Sequence, residues 1–370
     1  RDNLPVPGFN KTDVPVIGEL ELGYLFCAAP IVAITGTNGK TTVTSLIGEI
    51  FTRSGRDTVV CGNIGNPFTG EIGRITPKSS VVLEVSSFQL DTIVDFSPRV
   101  AVLLNVTDDH YDRHKGFESY KLSKFRIFMN QKKNDFAVIH SDFKLDAAVR
   151  GIKSRVVFYG GEGDRYRAEN DRVVVSSPEG EKVFVTSKET DIKGKHNMEN
   201  IACCCQVAEL EGISPEVVRS AVTGFKGLEH RFQKVNEFKG LVFIDDSKAT
   251  NVDATKRALE SVDRRVVLIA GGRDKLGDYS VVSALMRDKV SAIVVIGEAR
   301  ENIKRAFSSV VPVYEAESMN DAVKKAVSAA KSGEAVMLSP MCSSFDMFES
   351  YAHRGRVFRE AVRELSGTGR

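Results

Sequence analysis

Apolar and polar positions along this chain follow two rhythms, and the change from one to the other marks its elements. Short unbroken apolar runs rich in β-branched residues fall at 31–35, 58–61, 81–85, 100–105, 136–140 and 156–159. Behind the first run, Val43, Leu46, Ile47, Ile50 and Phe51 recur at helical spacing, and Gly55 follows as a C-cap. Unbroken runs predict strands buried on both faces, so the alternation predicts a parallel α/β sheet covered by helices. Residues 172–176 and 182–186, joined by Pro178-Glu179-Gly180, read instead as an antiparallel hairpin. A helix around 197–211 closes this unit. Farther on, strands at 241–244, 266–270, 292–296 and 335–338 alternate with helices around 253–260, 281–289, 299–307 and 320–330. That second set predicts a smaller doubly wound sheet.

The expected architecture is therefore α/β with two domains, in keeping with 370 residues. Residues 1–20 are expected to be linker, the remnant of a missing N-terminal domain, since the chain starts at Arg1 and 3–15 is Pro-rich. Residues 21–228 form a central P-loop-type ATPase domain with a mostly parallel sheet. Residues 229–370 form a smaller Rossmann-like C-terminal domain, with hinges expected near Leu20 and Gly227. Composition leaves this picture unchanged: 42% apolar and 27% charged residues are ordinary for globular domains. A net charge of +2, with no basic stripe among aromatics, gives no sign of a nucleic-acid partner. No apolar run approaches a membrane span, so no membrane partner is expected. Six cysteines without a C-x-x-C pair, three of them adjacent at 203–205, point to reduced thiols and a cytoplasmic setting. Nothing in the sequence demands more than a monomer.

The chemistry begins at 30–42, where a strand runs into Thr35-Gly-Thr-Asn-Gly-Lys-Thr41 and then a helix. Gly36 and Gly39 let backbone N–H groups close on phosphate oxygens, and the helix N-terminus adds partial positive charge. Lys40 can neutralise terminal phosphates, and the Thr41 hydroxyl can hold magnesium. The usual eight-residue pattern would need glycine where Ile34 stands. Glu84 lies within an apolar strand, where a carboxylate is costly unless paired or bound to metal. His110 and Asp109 follow another strand, in Asn105-Val-Thr-Asp-Asp-His-Tyr-Asp112, as structural residues or ligands. A helix over 117–133 has an apolar arc of Phe117, Tyr120, Ile127 and Phe128 with Lys124 near its middle. That lysine either snorkels or is buried with a lowered pKa. Three more polar clusters fit a substrate site: 196–200, whose amides suit an adenine edge, 229–232 at the domain joint, and 245–251 after a strand.

Taken together these residues resemble the ATP-dependent Mur ligase family over about residues 16–365. The resemblance rests on 35–41, Gly62-Asn-Ile-Gly65, Glu84-Val-Ser-Ser-Phe-Gln-Leu90, 105–110, His196-Asn197, His230-Arg231, Asp246-Ser-Lys-Ala-Thr-Asn251 and Ser339-Pro-Met-Cys-Ser-Ser-Phe-Asp346. The Ser-Ser-Phe-Gln-Leu run and the His-Arg pair favour the D-glutamate-adding member, and the Asp-Asn-Pro-Arg motif of the diamino-acid-adding relative is absent. What the resemblance implies is transfer of the ATP γ-phosphoryl to the carboxylate of UDP-MurNAc-L-alanine, then attack by the amine of D-glutamate. It implies an ATP site of Gly36, Thr37, Asn38, Gly39, Lys40, Thr41, Thr42, Asn197, Asn200, Arg231, Asp246 and Lys248. It implies two magnesium ions, one held by Thr41 and Glu84, the other by His110 and a carbamylated Lys124. Lys40, Glu84, His110 and Lys124 are the implied catalytic set. Asn63 and Ser86 would seat the muramoyl arm; Thr250, Lys275, Ser344, Phe345 and Tyr351 would take D-glutamate. The family's UDP-binding domain is expected to precede the residues given, so this stretch alone is expected to bind the UDP-sugar weakly. Competing readings are another Mur ligase, a folylpolyglutamate synthase-like ligase, and a P-loop module that does not ligate.

Overall fold

The structure is a computed structural model and describes residues 16–107, 116–274 and 277–367. Its first lobe runs α1 (Glu19–Phe26), β1 (Ile31–Thr35), α2 (Lys40–Arg53), β2 (Thr58–Gly62), α3 (Phe68–Glu71), β3 (Ser80–Glu84), α4 (Ser87–Leu90) and β4 (Val100–Leu103). It continues through α5 (Phe117–Phe125), β5 (Phe136–His140) and β6 (Arg155–Tyr159). The six strands make one wholly parallel sheet in the order β2-β3-β1-β4-β5-β6. Every residue of β1, β3 and β4 is buried, which is why these strands read as unbroken apolar runs. β1 lies between β3 and β4, so the strand order reverses around it and a crevice opens above its C-terminal end.

A three-stranded antiparallel sheet follows: β7 (Tyr166–Ala168), β8 (Arg172–Ser177) and β9 (Gly180–Thr186). The lobe ends with α6 (Lys195–Leu210) and α7 (Pro215–Gly224). With α2 these helices cover one sheet face through Leu46, Phe51, Met198, Ile201 and Val222. Leu20 of α1, Phe68, Phe96 and Phe128 cover the other.

The second lobe has β10 (Gln233–Phe238), β11 (Leu241–Asp245), α8 (Val252–Ser261), β12 (Val266–Gly271), α9 (Ser283–Lys289), β13 (Val290–Ile296), α10 (Arg300–Phe307), β14 (Val313–Glu315), α11 (Met319–Ala329), β15 (Ala335–Leu338) and α12 (Tyr351–Ser366). Strand order is β10-β11-β15-β12-β13-β14, parallel except for β10. Leu259, Met286, Ile303 and Phe307 pack on one face; Val323, Ala326, Phe358 and Val362 pack on the other.

The expected α/β class and both sheets are present, with local corrections. Glu19 and Leu20 belong to a helix, not to a linker, and Leu20 is buried, so it is no hinge. Buried Glu21 anchors that helix by accepting the N–H groups of Val94, Asp95 and Phe96 at 2.9, 2.8 and 3.1 Å. The helix expected to reach residue 133 stops at Phe125 and passes into a 3₁₀ turn at Arg126–Phe128. There Arg126 donates to the Leu90 and Ile93 carbonyls, and Asn130 to those of Val94 and Phe96, diverting the chain. Strand β4 ends at Leu103 rather than 105, because the next residues turn over the loop that follows β1.

Candidate active site where the two lobes meet

The loop between β1 and α2 is shaped by one glycine and clasped by one asparagine. Gly39 caps α2 with φ +87°, and a Cβ there would stand 2.5 Å from Asn200 Oδ1. Only glycine satisfies both the left-handed backbone and that close approach. Asn105 holds the loop from the end of β4. Its carbonyl accepts Thr37 N–H at 2.9 Å, its Oδ1 accepts Asn38 N–H at 2.9 Å, and its Nδ2 donates to the Asn38 carbonyl at 3.0 Å. The first turn of α2 thus points its N–H groups into the crevice, a ready anion seat. Lys40 Nζ folds back onto the carbonyls of Gly36 (2.8 Å) and Thr37 (2.9 Å). Lys124 Nζ donates to the same Gly36 carbonyl at 2.9 Å and stands 4.4 Å from the centre of the Tyr120 ring. With 1% exposure Lys124 does not snorkel; its side chain is buried beneath the phosphate loop.

Glu84 ends β3 directly beside Ile34 of β1, where its sequence position suggested. Asn63 Nδ2 donates to its Oε1 at 2.9 Å, while the buried Oε2 has no hydrogen-bond partner among the described residues. Gly62 makes this pairing possible, since its φ is +104° and a Cβ would meet the Glu84 carbonyl at 2.5 Å. A desolvated carboxylate oxygen with nothing to accept from is costly, and the Thr41 hydroxyl is a second hard oxygen at the helix start. Magnesium favours such donors and keeps several waters besides, so the set fits it. Among the described residues no group of three or more His, Cys, Asp or Glu is arranged to hold a metal. His110 lies outside the described residues, as does Lys275.

From the second lobe, Arg231 reaches across and donates to Thr41 Oγ1 at 2.5 Å. Its base, His230, has φ +63°, a conformation costing about 1–2 kcal/mol in a non-glycine residue. Beside it Asp246 accepts from Ser339 Oγ at 2.8 Å and from the Phe232 N–H at 3.1 Å. Burial pushes the Asp246 carboxyl up to about 7, against the lowering effect of these donors and of Arg231. A second bridge joins the lobes: Asn38 Nδ2 donates to Asp253 Oδ2 at 2.7 Å, and Arg257 Nε to the same oxygen at 3.0 Å. His196, Asn197 and Asn200 lie in the first two turns of α6, which begins two residues earlier than expected. Asn200 is buried against Gly39 and donates to Asn197 Oδ1 at 3.1 Å. Burial, with Arg257 nearby, drives the His196 imidazole down to about 4.

The remaining expected residues divide by exposure. Ser86 caps α4, its hydroxyl donating to Gln89 Oε1 at 2.9 Å. Lys248 Nζ stands 3.9 Å from the centre of the Tyr351 ring, at the start of α12. Thr250 is half-buried two residues on, Ser344 is buried, and Phe345 is 63% exposed. Sequence reasoning missed Asp253, Arg354 and Arg359, and the clasp made by Asn105. A signal existed for Arg354, which shares a helical stripe with Phe358, Ala361 and Val362.

A glycine phosphate loop at the strand-order switch of one sheet, met by Arg231 from a second α/β lobe, defines a two-lobed P-loop nucleotide-binding protein. Its frame is shared with the MurF ligase from Thermotoga maritima in complex with ADP (TM-score 0.70, 16% identity, 94% of this chain and 84% of that one). It is shared equally with Escherichia coli FolC in complex with DHPP and ADP (TM-score 0.67, 16% identity, 97% and 96%). Residues 34–208 match the Mur ligase middle domain and 230–342 the Mur ligase, glutamate ligase domain. The chain belongs to the Mur ligase family and is an ATP-dependent ligase. It is 45% identical over 365 residues to the UDP-N-acetylmuramoylalanine–D-glutamate ligase of Desulfosudis oleivorans, covering 98% of this chain and 80% of that protein. The enzyme of the same name from Syntrophus aciditrophicus is 43% identical over 362 residues, covering 96% and 80%. Among the described residues no helix is long and apolar enough to cross a membrane.

Proposed function

We propose that this ligase joins D-glutamate to UDP-N-acetylmuramoyl-L-alanine through an acyl phosphate. The observation that carries the reading is the bond from Arg231 to Thr41, which brings a cation of the second lobe onto the phosphate loop of the first. In the first step a carboxylate oxygen bonds to the γ-phosphorus, the bond to the β–γ bridging oxygen breaks, and ADP leaves. In the second the amine nitrogen attacks the acyl carbon, loses a proton, and phosphate departs. Both steps gather negative charge, so positioning and countercharge matter more than a covalent partner.

The loop of Gly36, Thr37, Asn38, Gly39 and Thr42 with Lys40 would cradle the β- and γ-phosphates, and Arg231 would neutralise charge from the other side. Asn197, Asn200, Asp246 and Lys248 would hold the nucleoside side. Thr41 and Glu84 would hold one magnesium, and His110 with carbamylated Lys124 a second, giving extra charge neutralisation on the phosphates when bound. Asn63 and Ser86 would orient the muramoyl arm; Thr250, Lys275, Ser344, Phe345 and Tyr351 would surround D-glutamate. The reading includes a monomer in the cytoplasm, a setting that agrees with six unpaired thiols. ADP release with UDP-N-acetylmuramoyl-L-alanine and a panel of D- and L-amino acids tests it. D-glutamate alone should stimulate release; stimulation by a diamino acid or L-glutamate instead would overturn the assignment.

A further inference from the structure

Helix α12 carries two arginines whose contacts run to opposite sides of the site. Arg354 is 1% exposed and touches no crevice. Its guanidinium donates to Ser247 Oγ (3.1 Å) and O (2.9 Å), Gly271 O (3.3 Å), Cys342 O (3.0 Å) and Ser343 O (3.2 Å). These acceptors belong to the three loops that leave the C-terminal ends of β11, β12 and β15. The loops are pressed together there, since a Cβ on Gly272 would lie 2.1 Å from the Ser343 carbonyl. Two of them bear residues of the proposed amino-acid side: Thr250 follows β11, and Ser344 and Phe345 follow β15. A planar five-donor fork can tie three loops at once; an ammonium, a single point, cannot.

Arg359, on the same helix, faces the other way. Its Nε donates to Asp245 Oδ2 at 2.8 Å and its Nη2 to Gln233 Oε1 at 2.7 Å. The same Asp245 oxygen lies 2.7 Å from His230 Nδ1, and Asp245 is fully buried. The pair therefore holds His230 in its left-handed conformation, from which Arg231 extends to Thr41.

We propose that α12 is a positioning strut: Arg354 sets the geometry of the amino-acid side, Arg359 sets that of the phosphate side, and the two act separably. The inference rests on the second-lobe strand ends being the amino-acid site. A residue needed only for folding would weaken both sides together, so the readout is the split between two KM values. ADP release by the full chain is measured for Arg354→Lys and Arg359→Lys, with Ser247→Ala and Gln233→Ala as milder versions that each remove one acceptor. Arg354→Lys is expected to raise KM for the acceptor amino acid about tenfold and leave KM for ATP within about twofold, as supporting residues behind a ligand shell do. Arg359→Lys is expected to do the reverse. The alanine variants should shift the same constants in the same directions by less, and they decide the matter if a lysine variant does not fold. Parallel rises in both constants, or an unmoved amino-acid KM in Arg354→Lys or Ser247→Ala, overturn the proposal. The wild-type panel fixes the acceptor first; if it is not D-glutamate, that assignment fails, and the split is still read with the acceptor found.

Discussion

On the proposed reading the phosphate loop and the strand ends of the second lobe both take anions, by opposite means. Residues 36–41 are contiguous, and their own backbone, steadied by Asn105, makes the seat. In the second lobe the proposed seat would be assembled from 245–250, 271–274 and 339–346, loops that the guanidinium of Arg354 brings together. A phosphate can be recognised by any backbone bent the right way, because N–H groups are everywhere. An amino acid needs particular side chains in particular places, and no short stretch supplies them. One region tolerates side-chain change around it; the other depends on a network.

The comparison breaks most easily at Lys40, the one side chain on which the contiguous seat depends for full charge. Lys40→Ala should lower ADP release by about 10³-fold with little change in thermal stability, as loss of a preorganised countercharge does. A loss below tenfold would mean the backbone suffices alone. Glu84→Gln sharpens it next. It should cost about 10²-fold and raise the magnesium needed for half-maximal rate, because an amide is a poorer ligand than the orphan carboxylate oxygen. An unchanged magnesium dependence would remove Glu84 from the metal set.

The last effect concerns stability and probes the network side. Asp246 is raised from 3.8 to about 7 in the folded chain, so between those values the folded state binds the extra proton. Its contribution is therefore fully present below pH 4 and is lost as pH rises toward 7, at up to about 1.4 kcal/mol per pH unit. Urea unfolding of the chain and of Asp246→Asn across that range should diverge with this slope, wild type losing ground as pH rises. Parallel curves would show that Ser339 and Arg231 already pay the carboxylate's desolvation.

The same contrast explains what was legible before any coordinates. The first sheet could be read strand by strand because its central strands are buried on both faces. The phosphate loop was legible from two glycines and a Lys-Thr pair, and Glu84 because a carboxylate interrupts an apolar run. Strand β10 was not, because Gln233, Lys234, Asn236 and Glu237 give an edge strand a loop's composition. Helix α12 was hidden by its own Arg354, a charge occupying the stripe that should have been apolar. Helix α1 was hidden in the same way by Glu21, whose three backbone partners lie more than seventy residues away. The overlong helix at 117–133 was a local reading overruled by carbonyls from another segment. Asp253 carries no local mark at all; only the meeting of the lobes gives it meaning.

One oxygen has a larger consequence than its size suggests. The Gly36 carbonyl accepts from the side-chain nitrogens of both Lys40 in α2 and Lys124 in α5, so a single dipole ties the loop to two helices. The loop and α5, some eighty residues farther along the chain, are thereby fastened at one atom.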